Sequence, residues 1–183
     1  MLELKNIKKS YDGVEVLKNI NLSISDGEII SILGPSGCGK TTLLNILSTI
    51  DKPTQGMVLL DGKDITKMKN KELSKLRRDK IGFIFQDYNL LDTMTLQDNI
   101  ALPLSLNGVS SQVCIAKSEN LASIFGLKEH LKNILINCQV DKNQRGATCR
   151  ALISEPEILF ADEPTGALDS RSSRDLLERL KMI

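Results

Sequence analysis

The chain of 183 residues has few aromatic side chains, a single histidine and no tryptophan. Because aromatic residues make up only 3% of the composition, its core must be built from leucine, isoleucine and valine. The formal net charge is only +1, so no bulk charge attracts the chain to nucleic acid or to an anionic lipid surface. A hydrophobic fraction of 41% and a charged fraction of 26% are ordinary for one globular domain.

Cysteine pairs, long apolar runs and targeting signals are also absent. The four cysteines show no C-x-x-C spacing and no histidine partner, which argues against a zinc site and favours free thiols in a reducing cytosol. The longest apolar runs, such as EIISILG and EILFAD, have the length of a strand and fall far short of a membrane span. The N-terminus MLELKNIKKS has neither the apolar segment nor the cleavage site of a secretory signal. We therefore expect a cytoplasmic protein.

Short strands, turns and helices alternate along the chain. Up to Leu33, apolar and polar residues alternate around turns at Asp12-Gly13 and Asp26-Gly27, which predicts a largely antiparallel β region. The runs EIISIL, IGFIFQ and EILFAD are continuously apolar and predict strands that are buried on both faces. The segments KTTLLNIL, QRGATCRALIS, SSRDLLERLKMI and NKELSKLRRDK predict helices, the last with Asn70 as a candidate cap.

The middle of the chain is mainly helical in its periodicity between Thr95 and Gly126, with interruptions at Pro103 and Gly108, and a short helix is predicted at LKEHLKN. This order of elements predicts an α/β fold with a parallel sheet, the antiparallel β region in front and an inserted α-helical subdomain. The expected domain organisation is one domain over residues 1–183, with a core of residues 1–86 and 143–183 and a helical subdomain of residues 87–142.

The stretch GPSGCGKT, from Gly34 to Thr41, fits the pattern G-x-x-x-x-G-K-[ST] between a predicted strand and a predicted helix. Glycines in such a loop let backbone N–H groups surround phosphate oxygens, and the helix N-terminus adds its dipole. Lys40 would neutralise the β and γ phosphates of a nucleotide, while the Thr41 hydroxyl would bind Mg²⁺. The alternative is a chance glycine-rich turn, which the flanking elements disfavour. The predicted nucleotide-binding residues are Gly34, Pro35, Ser36, Gly37, Cys38, Gly39, Lys40, Thr41 and Thr42.

A second stretch, ILFADE, places two carboxylates at the end of a predicted buried strand. Asp162 would emerge there to hold Mg²⁺. Glu163, next to it, is the candidate general base that polarises a water molecule. The alternative for the pair is a helix N-cap before Pro164. The phosphate loop in the same chain favours the catalytic interpretation.

Together these motifs resemble the ATP-binding subunits of ABC transporters. FIFQDYNLL resembles the Q-loop of that family, which would make Gln86 a ligand of Mg²⁺ and a link to the membrane subunit. PTGALDS resembles its D-loop, which would place Asp169 at a dimer face. Tyr11 matches the aromatic residue that stacks on adenine, with an ordinary surface tyrosine as the alternative. The resemblance implies a P-loop NTPase (RecA-like) core, ATP and Mg²⁺ as ligands, and ATP hydrolysis that uses Glu163, Lys40 and Gln86.

The motifs LGPSGCGKTTLLNIL, FQDYNLLDTMTLQDNIALPL and LFADEPTGALDS are most similar to one branch of the family. That branch serves lipoprotein release, macrolide export, and antimicrobial-peptide export or resistance. It implies a homodimer, peripheral on the cytoplasmic face of the membrane, with residues from Asp87 through Gly108 on the coupling element of a permease. The alternative for that segment is an amphipathic helix packed on the core. Nucleic acid is not an expected partner, because DNA-repair ATPases with these motifs need long coiled-coil insertions, and only short helices separate Lys40 from Asp162.

The sequence departs from the family at the signature Ser-Gly-Gly-Gln, which normally completes the ATP site of the opposite subunit. Here Gln139-Val140 and QRGATCRAL resemble the flanks of that signature with only DKN between them, so both glycines are missing. An ungapped register places Gln139, Val140 and Asp141 over Ser-Gly-Gly, with the same loss. In either case Asp141 and Gln144 could form a capping box at the start of the helix.

A second departure concerns the switch histidine, which the family places on a strand after the D-loop helix. The chain stops at Ile183 before such a strand, and its one histidine, His130, lies in the helical insertion. We therefore expect a C-terminally truncated domain whose central sheet has a gap and unpaired strand edges. The alternative function is a nucleotide-binding remnant that does not hydrolyse ATP.

Overall fold

The structure of the protein, a computed structural model, describes residues 1–134 and 140–181. Its strands are β1 (Leu2–Tyr11), β2 (Val14–Ile24), β3 (Gln55–Leu60), β4 (Lys63–Asp64), β5 (Ile81–Ile84) and β6 (Ile158–Ala161). Its helices are α1 (Lys40–Leu47), α2 (Asn70–Lys80), α3 (Leu96–Leu106), α4 (Ser111–Ile124), α5 (Val140–Leu152) and α6 (Ser170–Lys181). Single 3₁₀ turns cover Ile65–Lys67 and Lys128–His130. The chain divides into two compact units, Met1–Arg77 and Arg78–Ile183.

The first unit is built on a four-stranded antiparallel sheet with the order β2-β1-β3-β4. Leu2 of β1 lies opposite Ile24 of β2 on one side and Leu60 of β3 on the other. Alternate residues of a strand point to the same face, and the β1 residues Leu2 and Leu4 are buried accordingly. The predicted antiparallel β region is therefore confirmed.

The strand predicted from EIISIL is wrong. Residues 28–33 adopt no strand, and Ile29 and Leu33 are 78% and 90% exposed. A buried strand needs a neighbour that accepts and donates its backbone hydrogen bonds, and none of the described strands pairs with this segment. The parallel sheet of the described residues contains only β5 and β6.

The second unit combines that parallel pair with helices. β5 and β6 align from Ile81 opposite Ile158 to Ile84 opposite Ala161. Gly82 lies in β5 where a Cβ atom would come within 2.6 Å of the Ala151 carbonyl oxygen, so α5 packs closely on the sheet. The largest buried side chains of its core belong to Leu96, Ile100, Phe125, Leu127, Ile153 and Leu176.

The helices agree with the sequence pattern except at a few points. Pro103 lies inside α3 without ending it, and Gly108 separates α3 from α4. The helix predicted at LKEHLKN is only a 3₁₀ turn. Asn70 does not cap α2, because it is already helical, and instead the Glu72 carboxylate accepts a hydrogen bond from the Lys69 N–H at 2.9 Å.

Candidate functional site

The predicted phosphate loop is an exposed turn that leads directly into α1. Gly37 and Gly39 have φ angles of +78° and +94°, in the left-handed region that glycine adopts at little cost. At Gly39, a Cβ atom would also lie 3.0 Å from the Leu17 side chain. Among the described residues no side chain caps the start of α1, so the N–H groups of its first turn are available to an anion.

Lys40 is the first residue of α1, and its side chain folds back over the loop. Its Nζ donates hydrogen bonds to the carbonyl oxygens of Gly34 and Pro35, each at 2.9 Å. Ser36, Cys38 and Thr41 are exposed around it. The loop thus combines open N–H donors with its own cation, which is the combination that phosphate groups require.

Tyr11, the candidate base-stacking residue, ends β1 and is 44% exposed. Its hydroxyl donates a hydrogen bond to Asp51 at 2.6 Å. The pKa of Tyr11 is raised, mainly by this hydrogen bond and to a smaller extent by burial, whereas a hydrogen bond with the Thr42 side chain lowers it. Tyr11 therefore lies beside Thr42 of α1, and both belong to the unit that carries the phosphate loop.

In the second unit, the candidate metal ligands and base gather at one edge of the parallel sheet. Gln86 follows β5 closely and Asp162 follows β6 directly. The Asp162 N–H donates to the Ile84 carbonyl oxygen at 3.0 Å, which extends the strand pairing by one residue. Because the carboxyl ends of parallel strands lie at the same edge, Gln86, Asp162 and Glu163 all follow the strands at that edge of the sheet.

Asp162 fits a divalent cation. It is only 6% exposed, and among the described residues its carboxylate has no hydrogen bond or ion pair. A buried carboxylate is normally paired with a cation or coordinates a metal. The described residues contain no cluster of three or more His, Cys, Asp or Glu side chains that could hold a metal alone. Mg²⁺ is a cation that proteins bind through one or two carboxylates together with the phosphates of a nucleotide.

Glu163 is exposed and has a φ angle of +45°, and its carbonyl oxygen accepts a hydrogen bond from the Gly166 N–H at 3.0 Å. The alternative of a helix N-cap for Asp162 and Glu163 is wrong, since a turn follows them. Asp169 fills that role at α6, where it accepts hydrogen bonds from the N–H groups of Arg171 and Ser172 at 2.9 Å.

The loop after Gln86 is held by two side chains that sequence reasoning did not single out. Arg150 of α5 donates to the carbonyl oxygens of Tyr88 and Asn89, which have φ angles of +61° and +49°. Asn99 is fully buried, and its side chain hydrogen-bonds both the N–H and the carbonyl oxygen of Leu91, at 2.7 and 3.0 Å. The sequence signal for Asn99 was a polar residue among the apolar residues of α3.

The helix that resembles the family signature is present as α5, but the predicted capping box is wrong. Asp141 lies in the first turn of α5, and its carboxylate accepts from Arg145 Nε at 3.0 Å. Arg145 also donates to Asp175 of α6 at 2.8 Å, which ties the start of α5 to α6. Gln144 is 2% exposed, and its Nε2 has no hydrogen-bond partner in the part of the chain that the structure describes. Gln139 lies outside the described residues.

Comparisons with known proteins identify the family of this chain. The family model of the ABC transporter matches residues 17–166. The bacitracin export ATP-binding protein BceA of Halalkalibacterium halodurans is 46% identical over 187 aligned residues, which cover 100% of this chain and 74% of that protein. The lipoprotein-releasing system ATP-binding protein LolD of Bacteroides fragilis is 42% identical over 176 residues, which cover 96% of this chain and 82% of that protein.

Among solved structures, the chain is similar to the ATP-binding cassette MJ0796 of Methanocaldococcus jannaschii in a dimeric, post-hydrolysis state bound to ADP and Pi. The TM-score is 0.93 and the sequences are 38% identical, with 98% of this chain and 81% of that chain covered. The fold and the phosphate loop thus define a P-loop nucleotide-binding protein of the α/β class. More specifically, the chain belongs to the ABC transporter family as an ATP-binding subunit, within a family of ATPases, and the resemblance seen in the motifs is confirmed.

The helices of residues 1–134 and 140–181 include none with both the length and the apolar character needed to cross a membrane.

Proposed function

We propose that this chain binds Mg-ATP and drives a membrane permease that exports or releases a peptide, a lipoprotein or an antibiotic. The observation that carries the proposal is the glycine loop at the start of α1, which no side chain of the described residues caps and over which the Lys40 ammonium folds. The Asp162 carboxylate, which is buried and has no partner among residues 1–134 and 140–181, supports a metal-bound nucleotide. The names of BceA and LolD support the class of transported substrate.

Each site residue has a separate part in this proposal. The backbone of Gly34–Thr42 and the Lys40 ammonium would bind the phosphates, with Tyr11 against the base. Thr41, Gln86 and Asp162 would hold Mg²⁺, which when bound would neutralise charge on the β and γ phosphates. The exposed Glu163 carboxylate would orient and deprotonate a water molecule for attack on the γ-phosphate.

Family membership supports the partners of this proposal. We infer that two copies pair as a dimer, as the cassette MJ0796 does, with Asp169 at the dimer face. The dimer would work with a permease at the cytoplasmic face of the membrane, as a peripheral subunit. The segment from Asp87 through Gly108, in the proposed helical subdomain of residues 87–142, would contact the permease. Its exposed Leu91 and Leu106 support this assignment, being 45% and 66% exposed.

A titration with a fluorescent ATP analogue, with and without Mg²⁺, tests the metal part of this proposal. Asp162→Asn keeps the size of the side chain but removes its charge, so we expect the variant to lose the increase in affinity that Mg²⁺ provides. Asp92→Asn changes an exposed carboxylate in the same unit and should behave as the unchanged chain. Equal Mg²⁺ dependence in all three proteins would show that Asp162 does not hold the metal.

A second candidate function is a nucleotide-binding subunit that does not turn ATP over. The start of α5 favours it, because Asp141 is paired with Arg145 where the family's signature supplies glycine N–H donors. Removal of one preorganised donor typically costs about 100-fold or more in rate. The expected result is ATP hydrolysis at background level, unchanged by Glu163→Gln. Robust hydrolysis that Glu163→Gln abolishes would exclude this candidate and favour the first.

A further inference from the structure

A buried lysine lies behind the candidate base-stacking residue. Lys9 of β1 is only 9% exposed. Its ammonium donates to Asp51 Oδ1 at 2.9 Å and to the Lys52 carbonyl oxygen at 2.7 Å. A buried ammonium is costly unless it is paired and hydrogen-bonded, so these two partners explain why the charge is tolerated.

The same carboxylate also holds Tyr11. The Tyr11 hydroxyl donates to Asp51 Oδ2 at 2.6 Å. Lys9 and Tyr11 are two residues apart on β1 and therefore share a face of the strand, and the Lys9 ammonium lies 4.7 Å from the centre of the Tyr11 ring. The ring is thus fixed at its hydroxyl and has a cation over one face, while the residue as a whole stays 44% exposed.

The charge states at neutral pH suit this arrangement. Burial would raise the pKa of Asp51, but hydrogen bonds from Lys9, Tyr11 and the Lys52 N–H outweigh it, so that the pKa lies below its usual range. The hydrogen bond to Asp51 also raises the pKa of Tyr11, which keeps the hydroxyl protonated as a donor. The cluster therefore contains an ionised carboxylate between two donors.

The position of the cluster relates it to the nucleotide. Tyr11 lies beside Thr42 in the first turns of α1, and the phosphate loop ends where α1 begins. Asp51 follows α1 in the chain. Phosphates held by the loop would therefore leave the base of the nucleotide near the exposed part of the Tyr11 ring.

We propose that Lys9 and Asp51 are positioning residues that hold Tyr11 as a one-sided aromatic platform for a purine base. This rests on the proposed function, because it assumes that the phosphate loop binds a nucleoside triphosphate. Lys9 occupies one ring face, Asp51 fixes the hydroxyl, and the base stacks on the face that remains. The cluster therefore sets the affinity for the base and leaves the affinity for the phosphates unchanged.

Calorimetric titrations of the full chain with Mg²⁺ and either ATP or inorganic tripolyphosphate test this proposal. We expect Asp51→Ala and Lys9→Met to weaken ATP binding about 5-fold or more, since base–aromatic stacking typically contributes a factor of about 5 to 150. Tripolyphosphate binding should not change. Tyr11→Phe, which removes only the hydroxyl, should weaken ATP binding by a smaller factor and should leave tripolyphosphate binding unchanged. Glu15→Ala, an exposed carboxylate of β2, is the matched control and should change neither affinity.

A second comparison separates positioning of the platform from general damage to the fold. In a Tyr11→Leu background the platform is gone, so adding Asp51→Ala should cause no further loss of ATP affinity. Two results would overturn the proposal. One is that the variants bind ATP and tripolyphosphate with equally weakened affinity. The other is that Asp51→Ala lowers the ATP affinity in the Tyr11→Leu background as much as it does in the unchanged chain. If Asp51→Ala fails to fold, the ratio of ATP affinity to tripolyphosphate affinity in Tyr11→Phe and in Lys9→Met tests the proposal instead. Failure of the unchanged chain to bind either ligand would instead contradict the proposed function.

Discussion

The guanidinium group of Arg150 on α5 donates a hydrogen bond to the Tyr88 carbonyl oxygen at 2.7 Å, and another to that of Asn89. Both carbonyls belong to the loop that follows Gln86, and both residues have left-handed backbone angles. Burial lowers the pKa of Arg150, and no carboxylate pairs with it among the described residues. A partly buried cation therefore holds a strained loop by backbone contacts alone.

Arg150→Ala should lower the free energy of unfolding by about 2 kcal/mol, because hydrogen bonds to charged groups typically contribute about 1.5–3 kcal/mol. Urea denaturation followed by circular dichroism measures the change. Arg174→Ala removes an exposed arginine from α6 and should leave the midpoint unchanged. The same midpoint for both variants would show that Arg150 does not stabilise the loop.

The pairing of Asp175 with two arginines predicts a pH dependence of stability. Hydrogen bonds from Arg179, at 2.9 Å, and from Arg145 lower the pKa of Asp175 in the folded chain. A lowered folded pKa contributes stability that is complete above the unfolded value of about 3.9 and is lost as the pH falls through the folded value. Asp175→Asn should thus cost about 1 kcal/mol at pH 7 and progressively less below about pH 4.

Urea denaturation of the unchanged chain and Asp175→Asn at several pH values measures this difference. Glu178→Gln, an exposed carboxylate on the same helix, provides the control and should show little effect at any pH. A difference between Asp175→Asn and the unchanged chain that stays constant down to pH 3 would contradict the ion-pair account.

The cysteines should differ in reactivity. Cys38 is exposed within the phosphate loop, whereas Cys114 and Cys149 are buried, and burial raises the pKa of the Cys149 thiol. In a Cys138→Ser background we expect one fast-reacting thiol with a maleimide reagent, and Mg-ATP should slow its labelling because the bound phosphates cover the loop. Labelling rates that are equal with and without Mg-ATP would mean that the nucleotide does not cover Cys38.

Local sequence patterns predicted the parts of the fold that depend on neighbouring residues in the sequence. The bounds of α1 follow from the loop motif and the helical period of KTTLLNIL, and they are confirmed at both ends. The strands β5 and β6 follow from short apolar runs. By contrast, residues 28–33 have the same kind of run and form no strand, because a strand also needs a partner that its own sequence does not specify.

In the candidate site as well, residues fixed by spacing along the chain were predicted, and contacts made by the fold were not. The phosphate loop and Asp162 were predicted because their chemistry requires fixed spacings along the chain. Asp141 was expected to cap α5, yet its carboxylate pairs with Arg145 one turn away. Lys9 and Asp51 were not predicted at all, because they are 42 residues apart and only the folded sheet and α1 bring them together.

Binding of ATP to the phosphate loop is the central claim, and an equilibrium titration of the Lys40→Ala variant with Mg-ATP tests it most directly. The substitution removes the ammonium that folds over the loop and donates to the carbonyl oxygens of Gly34 and Pro35. We expect the dissociation constant to rise at least about 30-fold, as when one partner of a close charge pair is removed. Lys71→Ala, an exposed lysine of α2, should bind as the unchanged chain does. Unchanged affinity in Lys40→Ala would show that the loop from Gly34 to Thr41 is not the nucleotide site.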